Sequence, residues 1–301
     1  MNKIVITEFM DEAAVASLRG RFEVAYSPSL GAERAALLDA VGEADALIVR
    51  NRTKVDRELL QRAGRVRVVG RLGVGLDNID VEACKARGIA VFPATGANAL
   101  SVAEYVICSA MLLLRGAYLS SAAVAAGAWP REPLSSGREL GAKTLGIVGF
   151  GLIGRTVGRL AGGLGMHLCA FDPAQPPQGV RSLGLDALLA ESDVVTLHMP
   201  LTAETRNLVG RERIALMKPG AILINTARGG VVDEAALARA LIDGRLGGAA
   251  LDVFENEPLP AGSPLAGAPN LLLTPHIAGL TRESNERVSA MVAERVSAAL
   301  L

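Results

Sequence analysis

Residues 143–172, KTLGIVGFGLIGRTVGRLAGGLGMHLCAFD, constrain the fold of this chain more than any other stretch. An unbroken apolar run over 144–148 predicts a strand buried on both faces. The run breaks at Gly149-Phe150-Gly151-Leu152-Ile153-Gly154, and a helical pattern follows through Arg155, Val157, Leu160, Ala161 and Leu164. Gly165 stops that helix, and a second strand, 167–171, ends on Asp172. A lone G-x-G-x-x-G is a weak signal. Set between a buried strand and a helix, with an acidic residue about twenty positions on, it predicts a dinucleotide-binding βαβ unit.

Each residue then has a physical task. Gly149 permits the tight turn, Gly151 lets backbone approach a pyrophosphate, and Gly154 lets the helix pack close to the strand. Leu152 and Ile153 open the helix, where unpaired N–H groups and the positive end of the dipole hold an anion. Asp172 can accept hydrogen bonds from both hydroxyls of the adenosine ribose. A 2′-phosphate would meet that carboxylate, and Pro173, Ala174 and Gln175 offer no compensating cation. The expected cofactor is therefore NAD, not NADP.

At 301 residues the chain is long enough for two domains or one large α/β domain. Half of it is apolar and the formal net charge is zero, which argues against a nucleic-acid or acidic-membrane partner. Cys84, Cys108 and Cys169 lie in apolar segments without metal-ligand spacing, so buried, reduced thiols and no metal site are expected. The opening MNKIVITEFMDE reads as a strand followed by acidic residues, not a signal peptide. The apolar run 108–114 is too short to span a bilayer. These features together predict a soluble, cytoplasmic α/β protein.

Strands at 3–7, 23–27, 46–49, 66–70 and 90–92 alternate with helices, the first capped by Asp11. Alternation of this kind predicts a parallel sheet with right-handed crossovers. This first unit has no glycine fingerprint, so the nucleotide is expected elsewhere. Ser101 is read as the cap of a long helix over 102–118. The stretch 127–141 holds the only tryptophan, Trp129, and reads as an arm at a subunit contact. Beyond Asp172, further strands are expected at 194–198, 221–225, 248–252 and 271–274.

In open α/β sheets, ligands bind beyond the carboxyl ends of the strands. Arg228 falls there, bracketed by Asn225, Thr226 and Gly229-Gly230; so do Asp252, Glu257 and His276. His198 ends a strand beside the nucleotide turn and, with Thr226, is expected near the cofactor. Any one polar residue at a strand end is more often a satisfied loop residue than a catalyst. An Arg, a Glu and a His converging beside a nicotinamide site is a much rarer coincidence, and hydride transfer explains it. Oxidising a secondary alcohol needs a base for the hydroxyl proton while hydride leaves the same carbon. Imidazole titrates near neutrality, which suits His276. Glu257 would orient the ring and partner its protonated form. Arg228 can fork onto a substrate carboxylate, which favours a 2-hydroxy acid over a plain alcohol.

Together GFGLIG with Asp172, LHMPLTAETRNLV, NTARGGVVDEAAL, LDVFENEP and TPHIAG resemble the D-isomer-specific 2-hydroxyacid dehydrogenase family. RLGVGLDNID is similar to its phosphoglycerate dehydrogenase branch. The resemblance implies a catalytic trio at Arg228, Glu257 and His276. It implies that Asp252 contacts the nicotinamide carboxamide, that Pro200 and Thr205 lie along the adenosine and pyrophosphate side, and that Val74, Gly75 and Asn98 face the substrate. It also implies two Rossmann-like or flavodoxin-like domains with parallel sheets and a cleft between them. Residues 1–97 plus 282–301 would form the substrate-binding domain, and residues 98–281 the NAD-binding domain. Subunits would pair as a homodimer through the latter. The chain ends soon after His276, so no regulatory extension, and no serine feedback through one, is expected.

Arg50, Arg52, Lys54 and Arg71 fall on loops at the strand ends of the first domain. Individually each is as readily a solvated basic residue as a ligand. Together they suggest a second anionic group on the 2-hydroxy or 2-keto acid substrate. The first reading is 3-phosphoglycerate. The opening VITEFMDEAAV and the loop RNRTKVD are also similar to (S)-sulfolactate dehydrogenases, the main alternative. Hydroxypyruvate or glyoxylate reduction is another. A reading of a different class is an NAD(H)-sensing scaffold resembling the C-terminal-binding-protein corepressors.

Overall fold

A computed structural model describes residues 1–301, apart from the side chains of Tyr118 and Leu119. The chain divides into two compact units, Met1–Asn98 with Leu280–Leu301, and Ala99–Gly279. Each is built on its own parallel sheet, the α/β class expected from the alternating pattern.

The first unit contains β1 (Lys3–Ile6), β2 (Glu23–Tyr26), β3 (Ala46–Val49), β4 (Val68–Arg71) and β5 (Ala90–Pro93). Their order is β2-β1-β3-β4-β5, all parallel, which is the flavodoxin-like arrangement. Central β3 is buried along its whole length, as a strand covered on both faces must be. The Asp11 carboxylate caps the helix Glu12–Arg19 by accepting from the N–H groups of Ala13 and Ala14. The last helix of the chain, Arg282–Leu300, belongs to this unit. It lays Val288, Val292, Val296 and Leu300 into one core with Ile4, Ile6, Ile48 and Val68. A Cβ on Gly70 of β4 would lie 2.6 Å from Val292 Cγ1, so the bare backbone there lets the helix close on the sheet.

The second unit contains β6 (Thr144–Val148), β7 (His167–Phe171), β8 (Arg181–Ser182), β9 (Val194–Leu197), β10 (Ala221–Asn225), β11 (Leu246–Leu251) and β12 (Leu271–Leu273). The order β12-β11-β10-β9-β6-β7-β8 is that of a Rossmann sheet with one strand added, and its switch point lies between β6 and β9. Helices Ala99–Arg115 and Leu152–Gly163 pack through small residues, with Ala103 and Ala110 buried on one and Gly154, Gly158 and Ala161 on the other.

Some local expectations change. The long helix begins at Ala99, so Ser101 is a buried residue of its first turn and not its cap. The helix stops at Arg115, before Gly116 at φ +68°. Cys84 and Cys169 are buried, but Cys108 is exposed, because it lies on the helix face turned away from the core. The 127–141 stretch includes a short helix, Arg131–Leu134, and Trp129 is 78% exposed. Among the described residues no helix is long and apolar enough to cross a membrane.

Candidate active site

Strand register aligns most of the expected site. Across the second sheet Phe171, Val148, Leu197, Asn225, Leu251 and Leu273 stand in one row. The next residue on each strand is therefore Asp172, Gly149, His198, Thr226, Asp252 or Thr274. Residues far apart in sequence meet along one sheet edge because six parallel strands end together.

The glycine turn is as tight as its sequence requires. Gly149 has φ +91°, and a Cβ there would sit 2.6 Å from the His198 carbonyl oxygen. A Cβ on Gly154 would fall 2.2 Å from the Gly149 carbonyl oxygen, so the helix lies directly on the turn. At Gly151 the Cβ position meets nothing within 4 Å. That open position faces an N-terminus with no side-chain cap, at which Leu152 and Ile153 form the first turn. Asp172 is held ready, accepting from Phe150 N–H at 2.8 Å and Ala174 N–H at 2.9 Å. Thr226 Oγ1 is buried without a hydrogen-bond partner in the protein. An open backbone cradle, a fixed carboxylate and an orphaned hydroxyl suit a dinucleotide.

Thr205 staples its loop, donating to the Pro200 carbonyl and accepting from Thr202 N–H, both at 2.7 Å. The His198 ring lies 3.0 Å from Thr196 Oγ1, and burial pushes its pKa down to about 3, so it is neutral at physiological pH.

Arg228 is positioned by a side-chain-built turn. The Asn225 amide donates to the Arg228 carbonyl at 2.9 Å and accepts from Ala227 N–H at 3.0 Å. A Cβ on Gly229 would lie 1.8 Å from the Phe254 carbonyl oxygen, which brings the Arg228 loop against the segment leading to Glu257. Glu257 Oε2 stands 2.8 Å from His276 Nδ1, while its Oε1 accepts from Phe254 N–H at 3.1 Å. His276 is half exposed and has φ +56°, a strained backbone for a residue with a Cβ. Buried Asp252 holds it there. Its carboxylate accepts from Thr274 Oγ1 at 2.6 Å and from Ile277 and Ala278 N–H, each at 2.8 Å. The Tyr105 hydroxyl meets Thr274 Oγ1 at 2.6 Å and extends this support. Sequence reasoning missed Tyr105 and Thr274. The signal was a lone Tyr and Thr in apolar surroundings.

The expected substrate residues lie in the first unit. The Arg50 guanidinium bonds Asn285 Oδ1 at 2.7 Å and stands 5.8 Å from the Phe9 ring centre. Arg52 and Lys54 are exposed. Arg71 folds back on its own loop, its Nη1 donating to the Leu72 carbonyl at 3.2 Å; a Cβ on Gly73 would collide with that group. Val74 and Gly75 are half-buried in the same loop, and Asn98 Oδ1 is buried without a hydrogen-bond partner. Beneath the Arg50 loop lies a residue the sequence reading passed over. Glu8, 4% exposed, accepts from the N–H groups of Arg50 and Thr53 on Oε1 (2.8 and 3.0 Å) and of Asn51 and Arg52 on Oε2 (3.2 and 3.0 Å). Burial alone would raise its pKa; the N–H groups of Arg52, Thr53 and Arg50 outweigh that and hold the carboxyl below its ordinary value.

The chain is similar to known proteins over its whole length. Residues 107–278 match the family described as D-isomer specific 2-hydroxyacid dehydrogenase, NAD binding domain. The chain is 54% identical to an (S)-sulfolactate dehydrogenase from Chromohalobacter salexigens, covering 100% of this chain and 99% of that protein. It is 41% identical to a D-3-phosphoglycerate dehydrogenase from Methanocaldococcus jannaschii, covering 100% of this chain but only 58% of that one. The crystal structure of the TT0316 protein from Thermus thermophilus superposes with a TM-score of 0.92 at 38% identity, over 99% of this chain and 96% of that one. Fold and comparisons define an NAD-dependent oxidoreductase. The chain belongs to the D-isomer specific 2-hydroxyacid dehydrogenase family.

Proposed function

We propose that the chain interconverts (S)-3-sulfolactate and 3-sulfopyruvate with NAD. The observation that carries this is 54% identity, over essentially the whole of both chains, to a protein named (S)-sulfolactate dehydrogenase. The phosphoglycerate reading, first choice on the sequence alone, has less support. Its relative is less similar and is spanned over only 58% of its length. Both readings share the second anion for which Arg50 and Arg52 supply donors.

When bound along the glycine turn, NAD supplies the hydride acceptor. Arg228 takes the substrate C1 carboxylate and polarises the oxygen on C2. With His276 Nδ1–H donated to Glu257, Nε2 accepts the C2 hydroxyl proton during oxidation and returns it during reduction. Asp252 keeps that imidazole in place through the Ile277 and Ala278 amides. Arg50 and Arg52 bind the sulfonate by charge-assisted hydrogen bonds. We assign the assembly as a homodimer formed through the NAD-binding unit, where Trp129 and Met111 are exposed apolar residues; light scattering at a dimer mass is the expected result.

Steady-state rates with NAD on (S)-sulfolactate, 3-phosphoglycerate, glycerate and lactate test the substrate. The expected order places sulfolactate first in kcat/KM. A higher value for 3-phosphoglycerate overturns the reading.

A further inference from the structure

We propose that Glu8 is a specificity-determining positioning residue, whose carboxylate fills a nest of backbone N–H groups in loop 50–53 and so fixes Arg50 and Arg52 for the second anionic group of the substrate. The inference rests on the role assigned above to those two arginines.

Four successive N–H groups converging on one point form an anion-binding shape. Here the anion is the chain's own carboxylate, with two amides on each oxygen. Strand order makes this possible: β1 and β3 are neighbours, so Glu8, just past β1, lies beside the loop that leaves β3. The loop is also held from its carbonyl side, since Asn78 Nδ2 donates to the Arg50 and Thr53 carbonyls at 3.3 and 2.7 Å. Thr7 and Thr53 share a hydroxyl bond of 2.7 Å. Four N–H groups, the Arg50 and Thr53 carbonyls and the Thr53 hydroxyl are thus engaged, which ties down the backbone that carries Arg50 and Arg52. Phe9 and Asn285 then direct the Arg50 guanidinium.

Because Glu8 occupies the backbone donors, an external anion at this loop must be recognised by side chains. Removing the carboxylate would leave four converging N–H groups without their shared acceptor, and the loop would rearrange to satisfy them. Both arginines would lose their common frame. Glutamine is a sharp probe. Its single carbonyl oxygen can serve one amide pair, and its NH2 group would face the other pair donor to donor.

Glu8→Gln is therefore expected to raise KM for (S)-sulfolactate at least tenfold, with kcat falling far less and KM for NAD unmoved. In an Arg50→Ala/Arg52→Ala background, itself raised in KM, the Glu8 substitution should add little, because it acts through those side chains. If the arginine pair raises KM but Glu8→Gln does not, or if the two effects multiply, the inference is overturned and the substrate reading stands. If the arginine pair leaves KM unchanged for every acid in the panel, the reading fails and the inference with it. Should Glu8→Gln not accumulate as folded protein, Asn78→Ala loosens the same loop from its carbonyl side and must show the same KM-against-kcat split. An unchanged KM there overturns the proposal.

Discussion

Two strand-end turns in this molecule are shaped for an anion, and they treat it in opposite ways. At residues 149–154 the turn is bare: Gly151 meets open space and the helix behind it has no side-chain cap. At residues 50–53 the backbone donors are already taken by Glu8. On the proposed reading, a bare turn would accept any pyrophosphate that fits, and selection would pass to Asp172 at the ribose. A filled turn cannot use its amides on a ligand, so it becomes a rigid platform for side chains, which can discriminate. The second unit thus carries the features expected of an NAD-binding domain, and on our proposal the first carries those that separate one hydroxy acid from another.

The largest effect should come from the chemistry assigned to the second unit. Arg228→Ala is expected to lower kcat/KM by about three orders of magnitude, or ~4 kcal/mol of transition-state stabilisation, while the NADH dissociation constant stays within about twofold. A loss smaller than about tenfold would remove Arg228 from the mechanism and break the division of labour between the units.

Next comes the bare turn itself. Gly151→Ala adds a methyl where nothing lies within 4 Å, so its thermal midpoint should match the parent. Its NADH dissociation constant should nevertheless rise by about tenfold or more, roughly the loss of one charge-assisted hydrogen bond. Gly154→Ala should do the reverse and first destabilise the fold, since its Cβ would lie 2.2 Å from the Gly149 carbonyl oxygen. Equal midpoints for the two variants would contradict the packing described here. A smaller change is expected at Asp172→Ala: the ratio of NAD to NADP efficiency should fall roughly tenfold, and an unchanged ratio would unseat that carboxylate as the selector.

The two turns also differ in how far sequence reveals them. The bare turn is legible because every part is local: an apolar strand, three glycines, a helix and an acidic strand end within thirty residues. The row holding Thr226, Asp252 and Thr274 follows once the strands are known to be parallel, because register then aligns their ends. Glu8 is not legible in that way. Its partners come forty-two to forty-five residues later, and they meet it only because β3, not β2, continues the sheet on that side. Ser101 misled for a related reason. A hydroxyl before an apolar run signals a cap, yet the run continues back through Leu100 and Ala99, and the helix starts there. Substrate choice was the least legible. Cationic loops announce a second anion without saying which, and the first preference for phosphate gave way to the closer likeness to a sulfolactate enzyme.

Acid separates the turns most gently. Burial holds His198 at a pKa of about 3 against an ordinary 6.5, so below pH 6.5 the unfolded chain binds a proton that the folded chain refuses. Stability is therefore lost as pH falls from 6.5 towards 3. The Glu8 carboxyl lies below its ordinary 4.5, so its contribution is present above pH 4.5 and is lost only as pH falls through the lowered value. Between pH 6.5 and 4.5, His198 alone of this pair should weaken the fold, by roughly 1–3 kcal/mol. Thermal midpoints of the apo protein across that window should fall with acid, and His198→Gln should flatten the fall. Glu8→Gln should leave the slope there as it is and alter it only below pH 4.5. A His198→Gln profile parallel to the parent would mean that the ring takes up its proton in the folded state, and that its place beside the glycine turn is more open to water than the geometry shows.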